Sequence, residues 1–464
     1  MNAQPGTGRI DPRTSSRPSR NLVRAGLAAV LVVAGCSTSP ASSASAPTGS
    51  PVLPTGSATA PDSARVDLGT PTFSDPMAIT NPLFPRIGIT QVIQLGTEGK
   101  ENLRFEITQL PETKLIEWSG GQVETSVTHF MAYSDGRILE VARDFYAQAD
   151  DGSVWYFGED VYNYENGIVA NNEGTWLAGR DGPPGMIMPA DPQVGDVYRP
   201  ENIPDLVFEE VTVMSTGETL DGPRGPVSGA VLVQEHLMDG TIEDKAFAPG
   251  YGEFRAEVVS LDELYGVAIA APTDAMDGTV PGELETLSSG AAELHAISAP
   301  EDWKAVGMTF DGMSAAWSTY KDGDLSERLV GQMTDALEAL GAAIDAQQAG
   351  DVRQAAIGVA SATLDFELAY RPIADVDVDR LQLWSRQLQI DAAAVDTALV
   401  LGDVATLEAV WERVAHAIDP SAGDAVAASL ADARTAADAG DLDRMADLAE
   451  TLFAAFDGLA PIEG

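Results

Sequence analysis

The sequence predicts an α+β protein of two domains, in which an antiparallel curved β-sheet or incomplete barrel is followed by an α-helical bundle. Three observations predict it. Between about Asp67 and Ala271 the chain runs in short alternating stretches rich in β-branched and aromatic residues, the pattern of half-buried strands. Within that stretch Gly120-Gly121, Asp135-Gly136, Asp151-Gly152 and Asn166-Gly167 recur about fifteen residues apart, which makes consecutive strands of about ten to twelve residues joined by tight hairpins. From about Pro300 alanine dominates and apolar residues fall at three- and four-residue steps, as in Leu325, Leu329, Met333, Leu337, Leu340 and Ile344, the period of amphipathic helices. Long hairpin strands twist and curl, so the sheet is expected to be curved.

In chain order, residues 1–24 carry Arg9, Arg13, Arg17, Arg20 and Arg24 against Asp11 alone, and residues 26–34 are apolar or small. This is the layout of a secretory signal, and the apolar run is far short of the ~20 residues that span a bilayer. Cys36 is the only cysteine in 464 residues, which excludes an intrachain disulfide and a multi-cysteine metal site. Val33-Ala34-Gly35-Cys36 resembles the lipobox of bacterial lipoproteins. That resemblance implies a signal peptide over residues 1–35, lipidation of Cys36 as the first mature residue, and a membrane partner reached through that lipid on the extracytoplasmic face. A single acyl chain binds marginally, so two or more are expected. No two arginines are adjacent in the leader, so a twin-arginine signal is absent and no cofactor is expected to be loaded before export. Residues 36–65, almost wholly Ser, Thr, Pro, Ala and Gly, are expected to be a disordered tether.

Residues 66–271 are assigned to the β domain, and a buried face lets hairpin registers be read. A three-residue loop at Asp150-Asp151-Gly152 sets Ala147 opposite Trp155, Phe145 opposite Phe157 and Val141 opposite Val161. The same loop length at Ser134-Asp135-Gly136 sets Met131 opposite Leu139 and His129 opposite Val141, and a two-residue loop at Asn166-Gly167 brings Trp176 beside Phe157. In this register Arg143 faces Glu159 inside an apolar stripe, with His129 one diagonal step away. The three polar groups are then either the floor of a ligand pocket lined by Trp155, Phe157, Trp176, Met131 and Phe145, or an ion pair and a histidine satisfied within the fold. A nucleophile at matching spacing is missing, so a hydrolytic triad is not indicated.

Trp155-Tyr156-Phe157-Gly158-Glu159, the loop around Met188-Pro189-Ala190 and the turn Ala248-Pro249-Gly250-Tyr251-Gly252 resemble the corresponding segments of an uncharacterised group of secreted or lipid-anchored bacterial proteins. The likeness spans about residues 81–260. It implies a domain boundary and brings no activity or catalytic residue. At the level of fold alone, a curved sheet on a lipid anchor is also similar to lipid and lipoprotein carriers of the cell envelope.

Residues 272–295, poor in aromatics and rich in Gly, Pro, Ser, Asp and Glu, are expected to be a linker, and residues 296–460 the bundle. Asp324 with Glu327 suggests a capping box, Gly350-Asp351, Gly402-Asp403 and Gly440-Asp441 suggest helix corners, and Pro372 and Pro420 mark breaks. Asp375-Val376-Asp377-Val378-Asp379 has the alternating acids of a calcium loop, but Arg380 and Arg386 stand where its glycine and glutamate belong, so capping explains it better. Glu412 and His416 lack the Glu-x-x-His partner of a di-iron site. A carboxylate cluster from Asp365, Glu367 and Asp391 is the remaining candidate for a hard cation, with solvated acids the simpler account, and no metal or cofactor is assigned. Trp384, Trp411 and Phe366 are assigned to core.

The formal charge is −44, and such acidity disfavours nucleic acid and anionic lipid head groups as partners. Together these readings give the expected function: a lipid-anchored extracytoplasmic binding or interaction protein, non-enzymatic, offering an apolar sheet face to a small hydrophobic ligand or a protein partner. The alternative is a cell-envelope enzyme acting on glycan or lipid through His129, Arg143 and Glu159.

Overall fold

A computed structural model describes residues 59–86, 90–297 and 302–462. Cys36, the leader and most of the expected tether lie outside the described residues. The strands are β1 (Gln91–Glu98), β2 (Glu101–Trp118), β3 (Gly121–Ser134), β4 (Arg137–Gln148), β5 (Val154–Glu165), β6 (Ile168–Asn171), β7 (Trp176–Leu177), β8 (Gly185–Met188), β9 (Val197–Ile203), β10 (Val207–Gly222), β11 (Gly225–Leu237), β12 (Ile242–Ala248), β13 (Gly252–Val258) and β14 (Glu263–Ala271). All belong to one antiparallel sheet in the order β6-β5-β4-β3-β2-β1-β14-β13-β12-β11-β10-β9, with β7 and β8 added along β5. The first and last strands pair at the centre, and hairpins run outward on both sides.

The sheet curls without closing. Its two arms share one apolar core, in which Tyr156 and Phe157 of β5 meet Tyr198, Val211, Val233 and Phe247 from the far arm. At the seam Gly185 of β8 lies so close to β9 that a Cβ would sit 1.9 Å from the Pro200 carbonyl oxygen. The stretch expected as tether is already docked at its end: the Ala60 amide donates to Glu210 at 2.8 Å, and Arg65 bridges to Val197.

The hairpins test the expected registers one by one. At β4–β5 the loop is Asp150-Asp151-Gly152, with Gly152 at φ 92° and Ala147 opposite Trp155, as expected. At β5–β6 Asn166 and Gly167 both take positive φ and form the expected two-residue turn, with Glu165 opposite Ile168. At β3–β4 the expectation fails. Asp135 and Gly136 both have positive φ, a two-residue turn, and a bulge after Ala132 brings Met131 opposite Val141 and His129 opposite Arg143.

Eight helices follow among the described residues: α1 (Gly282–His295), α2 (Trp303–Tyr320), α3 (Glu327–Asp345), α4 (Ala349–Glu367), α5 (Ile373–Ala393), α6 (Thr397–Val414), α7 (Pro420–Asp438) and α8 (Leu442–Asp457). α1 occupies most of the expected linker. Its Leu284, Leu287, Ala291 and Leu294 are buried, a helical stripe that the scarcity of aromatics concealed. Gly440, at φ 66°, and Asp441, which caps the Arg444 amide, form the expected corner before α8, and Pro372 and Pro420 start α5 and α7. Gly350-Asp351 instead lies in the first turn of α4, and Gly402-Asp403 lies inside α6. Gln347 and Val395, both at positive φ, turn those corners. The α3 cap is Ser326 without a side-chain bond, so the capping box does not form.

The helices lie on the outer face of the sheet. Ile93, Ala268 and Ile269 join the core of α1–α4, and Met131, Tyr133, Ile138 and Val141 join that of α5–α8. Among the described residues no helix is long and apolar enough to cross a membrane.

Candidate functional site

The three polar residues singled out in the sequence do not share a face. On β5 the alternation breaks at Gly158, whose φ of 119° inserts one extra residue relative to β4. Tyr146 still pairs with Tyr156, but Asp144 pairs with Glu159 and Arg143 with Asp160. The bulge turns Glu159 inward, whereas His129 and Arg143, opposite each other, face the helices. Arg143 is ion-paired there with Glu412 of α6. His129 is fully buried with neither ring nitrogen hydrogen-bonded. Burial, then the charges of Arg413 and Arg143, push it down to about 3, so it stays neutral.

The aromatic residues of that stripe are covered by the chain itself. Phe73, from the segment preceding β1, packs edge-on against Phe157 at 5.5 Å and Trp118 at 6.2 Å. The same segment straps the β4–β5 hairpin, with Pro76 and Thr72 carbonyls accepting from Gln148 and Asp150 amides. Trp155 donates to Ser153 Oγ, Lys114 sits 3.8 Å above the Phe145 ring, and Met131 lies under the helices. Trp176 pairs opposite Glu159, stacks edge-on to Tyr156 and donates Nε1–H to Glu201 at 2.7 Å.

Between sheet and helices lies a dense ionic network that sequence reasoning missed. Arg104 makes a bidentate pair with Asp365 of α4 and also donates to Glu106. Arg380 of α5 donates to Asp365, Asp377 and Gln91, and Arg413 of α6 donates to Asp377 and Glu106. Burial alone would raise the Glu106 and Asp365 carboxyls, but the guanidinium groups hold both below their ordinary range. Three arginines against three carboxylates leave the buried set neutral, and each charge is hydrogen-bonded. Asp365 and Asp391 therefore belong to ion pairs, the latter with Arg137, and Glu367 is held by Arg371. Among the described residues no group of acids, histidines or cysteines has metal-site geometry.

The inner face of the curl is lined by carboxylates that are not balanced in this way. Glu140, Asp144 and Glu201 crowd Glu159, and Glu209, Glu235, Glu243, Glu253 and Glu263 continue along the other arm. Lys245 bridges Glu235, Glu243 and Glu253 at 2.7, 3.2 and 3.4 Å, and Arg86 lies near Asp144. Burial, then like charges, push Glu159 and Glu209 well up. Burial is also the first cause that raises Asp144 to about 7, Glu201 to about 8 and Glu243 to about 7. A region this crowded is held together by keeping protons on its acids.

One open concavity of ligand size lies at the seam of sheet and helices. It is formed by the tip of the β10–β11 hairpin, the outer face of β13–β14 and the start of α3, and holds about 600 Å³. Leu220, Pro223, Phe254 and Leu325 give it apolar walls, and Arg255 and Arg328 stand on its floor. A tighter apolar recess with Tyr320, Phe366 and Leu329 shares its Pro223–Leu325 edge. None of these residues was singled out in the sequence as part of a site; Arg255 and Arg328 lie 73 positions apart in different elements, and nothing in the sequence marks them as neighbours.

Fold and site thus define a curled antiparallel sheet that carries a helical bundle on its outer face and an arginine-floored groove where the two meet. No protein-family model, curated protein or solved structure matches the chain.

Proposed function

We propose that the protein is a lipid-anchored, extracytoplasmic binding protein whose small-molecule site is the groove between β10–β11, β13–β14 and α3. The observation that carries this reading is the groove itself: its volume of about 600 Å³ falls in the range of small-molecule sites, and its mixture of apolar wall and a few polar groups is how such sites are built. Anchoring through Cys36 supplies the place, since a lipid-held domain samples ligands at the membrane surface. The expected apolar sheet face is filled by Phe73, Trp118 and the helices, which moves the binding site to the seam. The enzyme reading has less support: Glu159 and His129 are both fully buried, on opposite faces of the sheet.

Native mass spectrometry of the delipidated protein purified from its own host tests the proposal. A small-molecule adduct is expected in the natural protein and should be lost in Glu327→Trp, which fills the groove from its exposed rim. An empty protein, or an adduct that Glu327→Trp retains, overturns it.

A further inference from the structure

The floor of the groove carries a like-charged pair. Arg255 of β13 stands directly opposite Gly266 of β14, and the guanidinium of Arg328 lies over Gly266, where a Cβ would come within 3.0 Å of its Nη2. The Gly266 position, free of a side chain, is the seat of Arg328. From there Arg328 donates to the Leu95 carbonyl at 2.9 Å, which fixes one edge of the fork and leaves the rest facing the groove. The two guanidinium groups are therefore neighbours on one surface, and the charge of Arg255 is felt at Arg328.

Neither has a carboxylate partner among the described residues. In a chain with 71 acids and 27 basic residues, Arg65, Arg104, Arg137, Arg199, Arg371 and Arg434 all find one, whereas Arg224 and Arg353 are satisfied by backbone carbonyls. Asp221, Asp324 and Glu327 line the same groove and are exposed, yet make no ion pair with either arginine. The first turn of α3 adds backbone N–H groups at the same wall, because Ser326 makes no side-chain cap. Two adjacent forks with free donors, next to an uncapped helix start, match an anion with two or more oxygens. The apolar walls and the neighbouring recess match a hydrocarbon chain attached to that anion.

We propose, resting on the groove reading above, that the ligand is an anionic amphiphile, a carboxylate or phosphate monoester whose head group is held between Arg255 and Arg328 and whose chain lies along Leu220, Phe254 and Leu325. The acidic rim and the overall charge of −44 repel anions at long range, so recognition comes from contact with the forks, and affinity should hold or rise as salt screens that repulsion.

Isothermal titration calorimetry with decanoate, decyl phosphate and neutral decanamide tests it, all below their aggregation concentrations. The natural protein should bind the two anions more tightly than decanamide. Arg255→Ala, at an exposed side chain without ion pairs, should weaken the anions by about tenfold to a hundredfold, the loss expected for hydrogen bonds to a charged group, and leave decanamide unchanged. Arg255→Glu places a carboxylate beside Arg328. It should abolish anion binding while the thermal midpoint stays level or rises, which separates loss of the site from loss of the fold. Vesicles of phosphatidylglycerol distinguish sources: retention on vesicles that decyl phosphate displaces assigns a bilayer head group, and binding of decyl phosphate without vesicle retention assigns a free amphiphile. Equal affinity for decanoate and decanamide, or anion binding that survives Arg255→Glu, overturns the anion inference alone. Failure of all three probes to bind overturns the groove reading with it.

Discussion

Replacing Asp144 by Asn should stabilise the protein at neutral pH and leave it unchanged in acid. Asp144 is fully buried on the inner face, opposite Glu159, and accepts a hydrogen bond from the Tyr156 hydroxyl at 3.4 Å. Burial, then the charge of Glu140, push its carboxyl from 3.8 up to about 7, with Tyr156 and Arg86 pulling the other way. The folded value is raised, so the proton is held more tightly in the folded state. Below about pH 4 both states are protonated and the native acid is at full advantage. As pH rises toward 7 the unfolded chain loses its proton first, and stability falls by about 1.4 kcal/mol per pH unit. Across the whole window the loss is about 4 kcal/mol, a large share of the 5–15 kcal/mol typical of a folded domain. Asn cannot titrate and keeps an acceptor for Tyr156, so Asp144→Asn should match the natural protein near pH 4 and exceed it by roughly 2–4 kcal/mol at pH 8. The lower figure allows for the neighbouring acids, which still titrate and repel one another. Urea unfolding followed by tryptophan fluorescence across this pH range reads the difference. A gap that stays constant with pH refutes the account of a proton-loaded interior.

Two further outcomes follow from contacts that admit little adjustment. Arg413→Met leaves Glu106 and Asp377 without their shared arginine, and should cost about 3–5 kcal/mol in urea unfolding; adding Asp377→Asn, which restores the balance as Arg104 and Arg380 against Glu106 and Asp365, should recover most of it, because the penalty is that of stranded charge. Gly158→Ala forces a side chain onto a residue at φ 119° with its Cβ 2.3 Å from the Trp176 carbonyl oxygen. Loss of native near-ultraviolet circular dichroism is expected, whereas Gly331→Ala, in the second turn of α3 with open space around it, should raise stability by about 1 kcal/mol.

The general plan was legible because periodicity is local. Alternation over residues 67–271 and the three- and four-residue steps of α3 report burial directly, and Gly152 and the Asn166-Gly167 pair reported their turns because each needs a positive φ that few residues adopt. The candidate site was less legible. Its inferred geometry extrapolated a register across seven residues from the β4–β5 loop, and one bulge was enough to turn Glu159 to the face opposite Trp155, which keeps its expected partner. Gly158 was the available sign, since an isolated glycine within a strand marks either a bulge or a close approach, and here it is both, against β7. At Asp135-Gly136 both residues accept positive φ, so the shorter turn wins over the three-residue loop. Arg104, Arg380 and Arg413 could not be read at all: their partners lie up to 307 positions away in sequence, and each alone looks like an ordinary surface charge.

The buried network and the groove are parts of one arrangement, because they share a face of α3. Gln332 of α3 donates to Asp365 at 3.1 Å, and Asp365 is clamped by Arg104 of β2 and Arg380 of α5. One turn earlier on the same helix, Arg328 reaches the Leu95 carbonyl of β1. Residues at i and i+4 lie one above the other on a helix, so the contact that seats α3 on the ionic network also sets the height of Arg328 over Gly266. A second clamp works at the far end, where the β5–β6 turn meets α6 so closely that a Cβ on Gly167 would lie 2.3 Å from the Gly402 amide. A greasy interface would let helices slide by fractions of a turn at little cost. A charged one penalises every displaced partner by several kcal/mol, and that penalty holds two arginines side by side in a groove where their mutual repulsion would otherwise drive them apart.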